Sequence, residues 1–114
     1  MDAVTRGEAA LKAGNYVDAI KHYTDAIKQS PGAATHYLKR SIAYQRTSKF
    51  SEALHDAEEA VILAVKRAKR ELIAQAQLRR GIALYNLEQY GDASYCFGLA
   101  KKLDPNEKLS LIHI

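Results

Sequence analysis

The sequence is poor in the residues that interrupt or cross-link a fold. Its 114 residues include two prolines, six glycines, one cysteine and no tryptophan. Because proline and glycine are the strongest helix breakers, their scarcity favours an all-helical chain. The single cysteine, Cys96, excludes an internal disulfide, and no cysteine and histidine cluster has the spacing of a zinc site. We therefore expect neither a disulfide framework, nor a structural metal, nor a cofactor.

Long apolar runs are also missing. No stretch approaches the roughly 18 residues that a membrane span requires, and residues 1–15 carry no apolar core of signal-peptide length. These absences predict a soluble protein of the cytoplasm and nucleus that does not contact membranes. The content of 47% hydrophobic and 26% charged residues indicates one globular domain. The formal charge of +4 suits an acidic protein partner as well as it suits a nucleic acid.

Small and aromatic residues recur along the chain at fixed intervals. Tyr16, Phe50 and Tyr90 lie 34 and 40 residues apart. Four further columns share both intervals: Ala19, Ala53 and Ala93; Ala26, Ala60 and Ala100; Gly7, Ser41 and Gly81; Tyr23, Ala57 and Phe97. A small residue in a first helix and an aromatic residue that opens a second helix resemble the tetratricopeptide repeat (TPR), a helix-turn-helix unit of about 34 residues.

The repeat predicts an all-α fold of three TPR units, stacked as a right-handed solenoid with a C-terminal capping helix. We expect helices over 2–13, 16–29, 33–47, 51–68, 71–87 and 90–102, with the capping helix from 105. The TPR domain is expected over 1–105, with repeats over 1–33, 34–70 and 71–105. Residues 106–114 then form either the start of the capping helix or a tail that is not native.

The second interval exceeds the first by 40−34=6 residues, which indicates an insertion between repeats two and three. It falls in the basic segment of residues 65–70, which contains Lys66, Arg67, Lys69 and Arg70. Because residues 51–80 contain neither glycine nor proline, we expect the extra turns to be helical. They should lengthen the second helix of repeat two or the first helix of repeat three, and project beyond the stack.

Three segments resemble a narrower family than the TPR class: residues 37–46 (YLKRSIAYQR), residues 60–85, which span the basic insertion, and residues 95–108 (YCFGLAKKLDPNEK). They are similar to the N-terminal TPR domain of fungal co-chaperones of the Sgt-one family, the suppressors of the G-two allele of Skp. The most specific part of the resemblance is the long basic insertion, because the alanine and aromatic columns are shared by TPR proteins in general.

The resemblance implies an adaptor that joins the Hsp90 chaperone machinery to Skp, the linker subunit of SCF ubiquitin ligases and a kinetochore component. In the family, Hsp90 is contacted by a separate CS domain, which a chain of this length is too short to include. The family's TPR domain is associated with Skp binding and, in some fungal members, with homodimerisation. Skp and a second copy of the chain are therefore the expected partners.

The concave face of a TPR stack, formed by the first helix of each repeat, is the usual binding surface. By helical phase, its expected exposed residues are Lys12, Leu38, Lys39, Ile42, Arg46, Leu78, Arg79, Ile82 and Asn86, together with Val4 and Glu8. Lys39, Arg46 and Arg79 suit an acidic protein surface, where charge mainly sets the association rate and specificity. The alternative interpretation is that these cations are solvated polar groups.

One known use of this face is a carboxylate clamp, in which two Lys, two Asn and one Arg hold the acidic C-terminal tail of a heat-shock chaperone. The matching positions here are Val4, Glu8, Lys39, Gln75 and Arg79, and only Arg79 fits the pattern. Val4 cannot donate to a carboxylate and Glu8 would repel one. We therefore predict that such a tail does not bind with ordinary clamp affinity.

The basic insertion has several interpretations. Its cations resemble a patch for nucleic acid or anionic lipid, but no aromatic residues interleave for base stacking, so a solvated helix extension is simpler. Apolar residues at helical spacing, including Ile62, would suit self-association if they were left uncovered. The predicted dimer or insertion surface comprises Val61, Val65, Lys66, Arg67, Lys69, Arg70, Leu72 and Ile73.

Other polar and aromatic residues favour structural roles. Arg40 and Arg80 share one column and are expected to bridge helices through their long stems and hydrogen bonds. Packing at repeat interfaces is expected for Tyr37, Tyr44, Tyr85, Tyr95 and Phe97.

Nothing in the sequence points to catalysis. The four histidines share no metal-ligand spacing, and there is no phosphate loop or nucleophile elbow, so we expect no enzyme activity. Three hypotheses remain: an Sgt-one-type scaffold that binds Skp and itself, a TPR receptor for another peptide, and a nucleic-acid-associated protein that uses the insertion. The first is favoured, and nucleic acid is not expected as a partner.

Overall fold

The computed structural model describes residues 1–104, which form six α-helices and no strand. The helices are α1 Ala3–Ala13, α2 Tyr16–Gln29, α3 Ala34–Arg46, α4 Phe50–Lys66, α5 Arg70–Asn86 and α6 Tyr90–Leu103. The all-α prediction is confirmed, and every predicted helix end lies within two residues of the observed one. The expected capping helix and the interpretation of residues 106–114 lie outside the described residues. None of the six helices is long and apolar enough to cross a membrane.

Each helix packs against the next one in the chain, as expected for helices joined by short turns. In addition, α3 contacts α5 directly, although α4 lies between them in sequence. The first helices of repeats two and three therefore lie side by side, and each is backed by the second helix of its own repeat. This order is that of a helical-repeat solenoid.

The six extra residues come from two longer helices, which gain seven residues in total, and from a turn between them that is one residue shorter, 67–69 against 30–33. Helix α4 has 17 residues where α2 has 14, and α5 has 17 where α3 has 13. The prediction named one helix or the other, whereas the structure lengthens both. The two helices are packed partners, so an extension of α4 alone would leave its apolar residues without a cover. Val61 of α4 and Leu72 of α5 instead pack against the same cluster around Leu38.

Three equivalent turns join the two helices of each repeat. Gly14, Ser48 and Glu88 have left-handed backbone conformations, with φ of 78°, 61° and 64°, and their spacing repeats the intervals of 34 and 40 residues. In each turn the following N–H donates to a carbonyl five residues earlier, for example Lys49 to Tyr44 at 2.9 Å. Such a bond satisfies a carbonyl that the helix end leaves free. In the insertion, Ala68 adopts the same conformation, with φ of 52°.

The column of small residues marks the closest approach of helices within a repeat. A methyl group on Gly7 would lie 2.8 Å from the ring of Tyr23, and one on Gly81 would lie 2.5 Å from the ring of Phe97. In repeat two the aromatic position holds Ala57, and the first helix can carry Ser41, whose buried hydroxyl donates to the carbonyl of Ala53 at 2.8 Å. A glycine in the first helix therefore accompanies a ring in the second helix.

Arg40 joins three helices. Its Nε and Nη2 donate to Oδ2 and Oδ1 of the buried Asp56 on α4 at 2.6 and 2.8 Å, and its Nη1 donates to Oγ1 of Thr24 on α2 at 3.1 Å. The rings of Tyr37 and Tyr44 each lie 5.6 Å from its Cζ. The hydrogen bonds that Arg40 donates to Asp56 raise the pKa of Arg40. The predicted helix-bridging role of Arg40 is confirmed.

The predicted packing roles are confirmed for some aromatic residues and wrong for others. Phe97 packs against two apolar clusters, and Tyr37 and Tyr44 are partly buried around Arg40. Tyr95 is 66% exposed, and Tyr85 is also exposed, with its ring 5.1 Å from that of Tyr90. Tyr95 does not face the core because Ala93, Cys96 and Ala100 form the buried side of α6.

A matched pair of glycine substitutions tests the close approach. Gly81→Ala places a methyl group 2.5 Å from the ring of Phe97, closer than van der Waals contact allows, and should lower the free energy of unfolding by about 1–3 kcal/mol. Gly98→Ala, on the exposed side of α6 with no neighbour within 4 Å, should raise it by about 0.5–1 kcal/mol. Urea unfolding measures both. Similar effects of the two substitutions would contradict the packing described here.

Candidate partner-binding groove

Three predicted groove residues belong to the core. Leu38, Leu78 and Ile82 are only 4%, 6% and 2% exposed, so the prediction that they line an open surface is wrong. Leu38 packs with Ala60 of α4 and Ala76 of α5, whereas Leu78 and Ile82 pack in one cluster with α6. Helices α3 and α5 contact each other as well as their own partners. The buried apolar side chains of α3 and α5 are therefore covered by more than one neighbouring helix.

The remaining predicted groove residues are accessible. Lys39, Ile42, Arg79 and Asn86 are partly buried, whereas Lys12 and Arg46 are exposed. The direct packing of α3 on α5 brings the positive charges of Arg46 and Arg79 close enough to influence each other. The accessible part of the predicted groove is therefore polar and basic on α3 and α5, with Ile42 as its apolar member.

Arg79 lies in an electrostatically unfavourable position. Burial lowers the pKa of its guanidinium, and the neighbouring charge of Arg46 lowers it further. Among residues 1–104, no carboxylate or hydrogen-bond acceptor pairs with Arg79. A partly buried cation without a partner loses hydration that nothing among residues 1–104 replaces. The position therefore favours an anionic group from outside the described residues.

Two further groups flank Arg79. Arg46 lies 5.8 Å above the ring centroid of Tyr16, and its Nη1 is 3.4 Å from the tyrosine hydroxyl, a long hydrogen bond. Asn86 follows Arg79 by seven residues, two turns along the same face of α5. Its buried Nδ2 has no hydrogen-bond partner within the described chain. Both side chains can donate hydrogen bonds to an acidic or carbonyl group.

The first repeat contributes the opposite charge. Val4 is partly buried and Glu8 is exposed on α1, at positions that would hold donors in a carboxylate clamp. Burial raises the pKa of Tyr23 to about 12, and Glu8 adds to that rise. Among the predicted clamp positions, therefore, the donors lie on α3 and α5, and α1 supplies a carboxylate.

The predicted insertion surface is only partly exposed. Val61 and Leu72 pack beside Leu38, and Ile73 is partly buried, so the prediction of an uncovered stripe is wrong for these three. Val65 is exposed, as is its neighbour Ile62. The exposed cations of this surface are Lys66, Arg67, Lys69 and Arg70.

Arg70 has a structural contact that the sequence did not indicate. Its Nε donates to the carbonyl of Leu103 at 2.9 Å and its Nη2 donates to the carbonyl of Lys102 at 3.2 Å. These carbonyls belong to the last turn of α6, where acceptors lack partners within the helix. Arg70 therefore attaches the insertion to the end of α6.

Residues 1–104 contain neither a group of metal ligands nor a reactive thiol. No group of three His, Cys, Asp or Glu side chains in residues 1–104 is placed to hold a metal ion. Cys96 is buried, and burial raises the pKa of its thiol, which keeps it protonated at neutral pH.

Six stacked helices and a polar face on the first helices define a helical-repeat domain of the protein-interaction class. The chain belongs to the tetratricopeptide repeat family, because the sequence model of that family matches residues 4–62. This match covers repeat one and most of repeat two. The class predicted from the repeat columns is confirmed.

Known relatives include proteins of the chaperone machinery. Mouse serine/threonine-protein phosphatase 5 is 35% identical over 91% of this chain and 20% of its own length. Soybean Hsp70-Hsp90 organizing protein 1 is 33% identical over 94% of this chain and 18% of its own length. The chain thus spans about a fifth of these relatives, and the phosphatase match concerns only that part.

Solved structures agree with the fold. The second TPR domain of human RPAP3, determined in complex with the HSP70 peptide SGPTIEEVD, is 28% identical and superposes with a TM-score of 0.84, over 96% of this chain and 87% of that domain. The comparisons support a TPR domain of the co-chaperone kind. The narrower Sgt-one assignment stays a prediction.

Two arginine substitutions distinguish an unpaired arginine in the groove from a paired arginine in the core. Arg79→Gln removes a partly buried, unpaired charge and should raise the free energy of unfolding of the free protein by about 0.5–2 kcal/mol. Arg40→Gln leaves Asp56 buried without its cation and should lower it by about 3–5 kcal/mol. Urea unfolding at one pH compares them. A loss of stability in the Arg79→Gln variant would show that Arg79 has a partner within the protein.

Proposed function

We propose that this chain is the protein-interaction scaffold of an Sgt-one-type co-chaperone adaptor, and that its groove binds an acidic surface of Skp. The observation that carries the proposal is Arg79, a partly buried cation beside Arg46 without an acidic partner in residues 1–104. An acidic side chain from a partner would supply the counter-charge and accept charge-assisted hydrogen bonds.

The distribution of charge supports a protein surface as the ligand. Lys39, Arg46 and Arg79 lie on α3 and α5, whereas Glu8 lies on α1. A partner with a carboxylate opposite Arg79 and a neutral or basic group opposite Glu8 would complement both regions. The surface of a folded protein can present such a pattern of mixed charge, whereas a uniformly acidic segment cannot.

The wider role follows from the family resemblance. The adaptor would link Hsp90, held through a CS domain beyond this chain, to Skp in SCF ubiquitin ligases and in kinetochore assembly, in the cytoplasm and nucleus. Self-association of the TPR domain would place two such sites in one assembly. The relatives from the chaperone machinery support the co-chaperone context.

Co-purification with Skp tests the groove. Lys39→Glu combined with Arg79→Glu should weaken Skp binding at least about tenfold, because two attractive charges become repulsive. The matched control is Lys21→Glu with Lys28→Glu, which makes the same charge change on exposed positions of α2. Full Skp binding by the groove variant would contradict the proposal.

Light scattering on the same samples gives the mass of the free and bound forms. A free mass near twice that of the chain, rising with concentration, is the expected result for self-association. A monomer mass at high concentration and low salt would remove the dimer from the proposal and leave the Skp interaction intact.

The second candidate is a TPR receptor for a short acidic peptide. The observation that favours it is the solved RPAP3 domain, which is similar in fold and carries an HSP70 peptide. Against it stand Val4 and Glu8, which cannot donate to a terminal carboxylate. The two candidates differ in whether an isolated peptide suffices.

Calorimetric titration with SGPTIEEVD separates them. The wild type should bind this peptide weakly, and Val4→Lys with Glu8→Asn should strengthen binding at least about tenfold, since each charge-assisted hydrogen bond contributes about 1.5–3 kcal/mol. Val4→Ala with Glu8→Ala controls for the removal of the acidic group alone. Tight binding by the wild type that is lost on Arg79→Ala would instead establish the peptide receptor.

A further inference from the structure

A second charged surface lies at the end of the solenoid where α4, α5 and α6 meet. The turn from α4 to α5 carries Lys66, Arg67 and Lys69, and the last turn of α6 carries Lys101 and Lys102, all of them exposed. Arg70 connects the two groups through its bonds to the carbonyls of Lys102 and Leu103. We call these six cations the basic end.

Among the described residues, the basic end carries more positive than negative charge. Residues 66–71 and 101–104 contain these six cations and two carboxylates, Glu71 and Asp104. The C-terminal end of α6 would add negative potential, but Arg70 donates to its carbonyls and offsets it. The described residues at this end therefore present excess positive charge, which attracts acidic partners.

An apolar pair borders the cations. Ile62 and Val65 are 50% and 55% exposed, and their spacing of three residues places them on one face of the last turns of α4. Val65 immediately precedes Lys66. Their neighbours Val61 and Leu72 are covered by the Leu38 cluster, so this pair is the part of the extended helices left to solvent. Exposed aliphatic side chains beside cations can bind a segment that carries both apolar side chains and carboxylates.

We propose that the basic end and the pair Ile62 and Val65 form a second docking surface, which binds an acidic amphipathic segment of a partner protein. Carboxylates of the segment face the cations, and its apolar side chains pack on the pair. Pairing of two copies through the basic end would oppose like charges, so the proposed self-association would have to use residues outside these six cations. The surface uses the insertion and the end of α6, and it is therefore separate from the groove residues of α3 and α5.

Fluorescence anisotropy with two labelled synthetic peptides tests the proposal. Both are 16 residues long and contain only Glu, Leu and Ala; one places Leu at helical i, i+3 and i+4 positions, and the other scrambles the same composition. The amphipathic peptide should bind at least about fivefold tighter, because only its apolar side chains can pack on the pair while its carboxylates face the cations. Equal binding of the two peptides would overturn the proposal.

Variants of the protein locate the surface. Lys66→Glu with Lys69→Glu should weaken peptide binding at least about tenfold, and the affinity should fall steeply with salt. Ile62→Ser with Val65→Ser should weaken it about fivefold, with less salt dependence than the charge reversal. Arg70 is left unchanged because it contacts α6. Circular dichroism melts confirm that each variant is folded, and unchanged affinity in a folded variant would contradict the proposal.

The groove variant Lys39→Glu with Arg79→Glu separates this surface from the proposed Skp site. It should bind the amphipathic peptide as the wild type does, whatever its effect on Skp. Tighter binding of a 16-nucleotide single-stranded RNA, or of phosphatidylserine vesicles, than of the amphipathic peptide would also overturn the proposal, in favour of a nucleic acid or a membrane surface.

Discussion

The close approach of neighbouring helices is the constraint on which the rest of this structure depends. Fully buried alanines occupy most of the helix interfaces, and the glycines at 7 and 81 allow the rings of Tyr23 and Phe97 to lie against a helix backbone. Interiors made of small side chains gain little apolar burial per residue, so stability depends on tight packing and on satisfied polar contacts. The pair of Arg40 and Asp56 is the shortest ion pair among residues 1–104, and it joins α3 to α4 inside the stack.

The same close approach produces the charged groove. Helices α3 and α5 lie near enough for Arg46 to depress the pKa of Arg79, and no described carboxylate offsets the two charges. Arg40 and Arg79 are both arginines on first helices, yet their environments are opposite. Arg40 is paired with the internal carboxylate of Asp56, whereas Arg79 has no acidic partner among residues 1–104. The presence of an unpaired arginine therefore points to the groove more specifically than the net charge of the chain does.

The sequence was sufficient to predict the repeats and the helices, because columns of Ala, Gly and aromatic residues record the interfaces directly. It was insufficient to predict the burial of Leu38, Leu78 and Ile82. Helical phase shows which residues share a face of a helix but not how many neighbouring helices cover that face. The left-handed residues Ser48 and Glu88 gave no signal, because glycine marks this position only in repeat one. The bonds from Arg70 to α6 were equally hidden, since they join residues more than thirty positions apart.

The insertion lengthens two packed helices by about one turn each. An α-helix completes a turn every 3.6 residues, so the three residues added to α4 and the four added to α5 each amount to nearly one full rotation. The two extensions then cover each other, since Val61 of α4 and Leu72 of α5 pack against the same cluster around Leu38. A repeat can in this way be lengthened at one junction without leaving these two apolar side chains fully exposed.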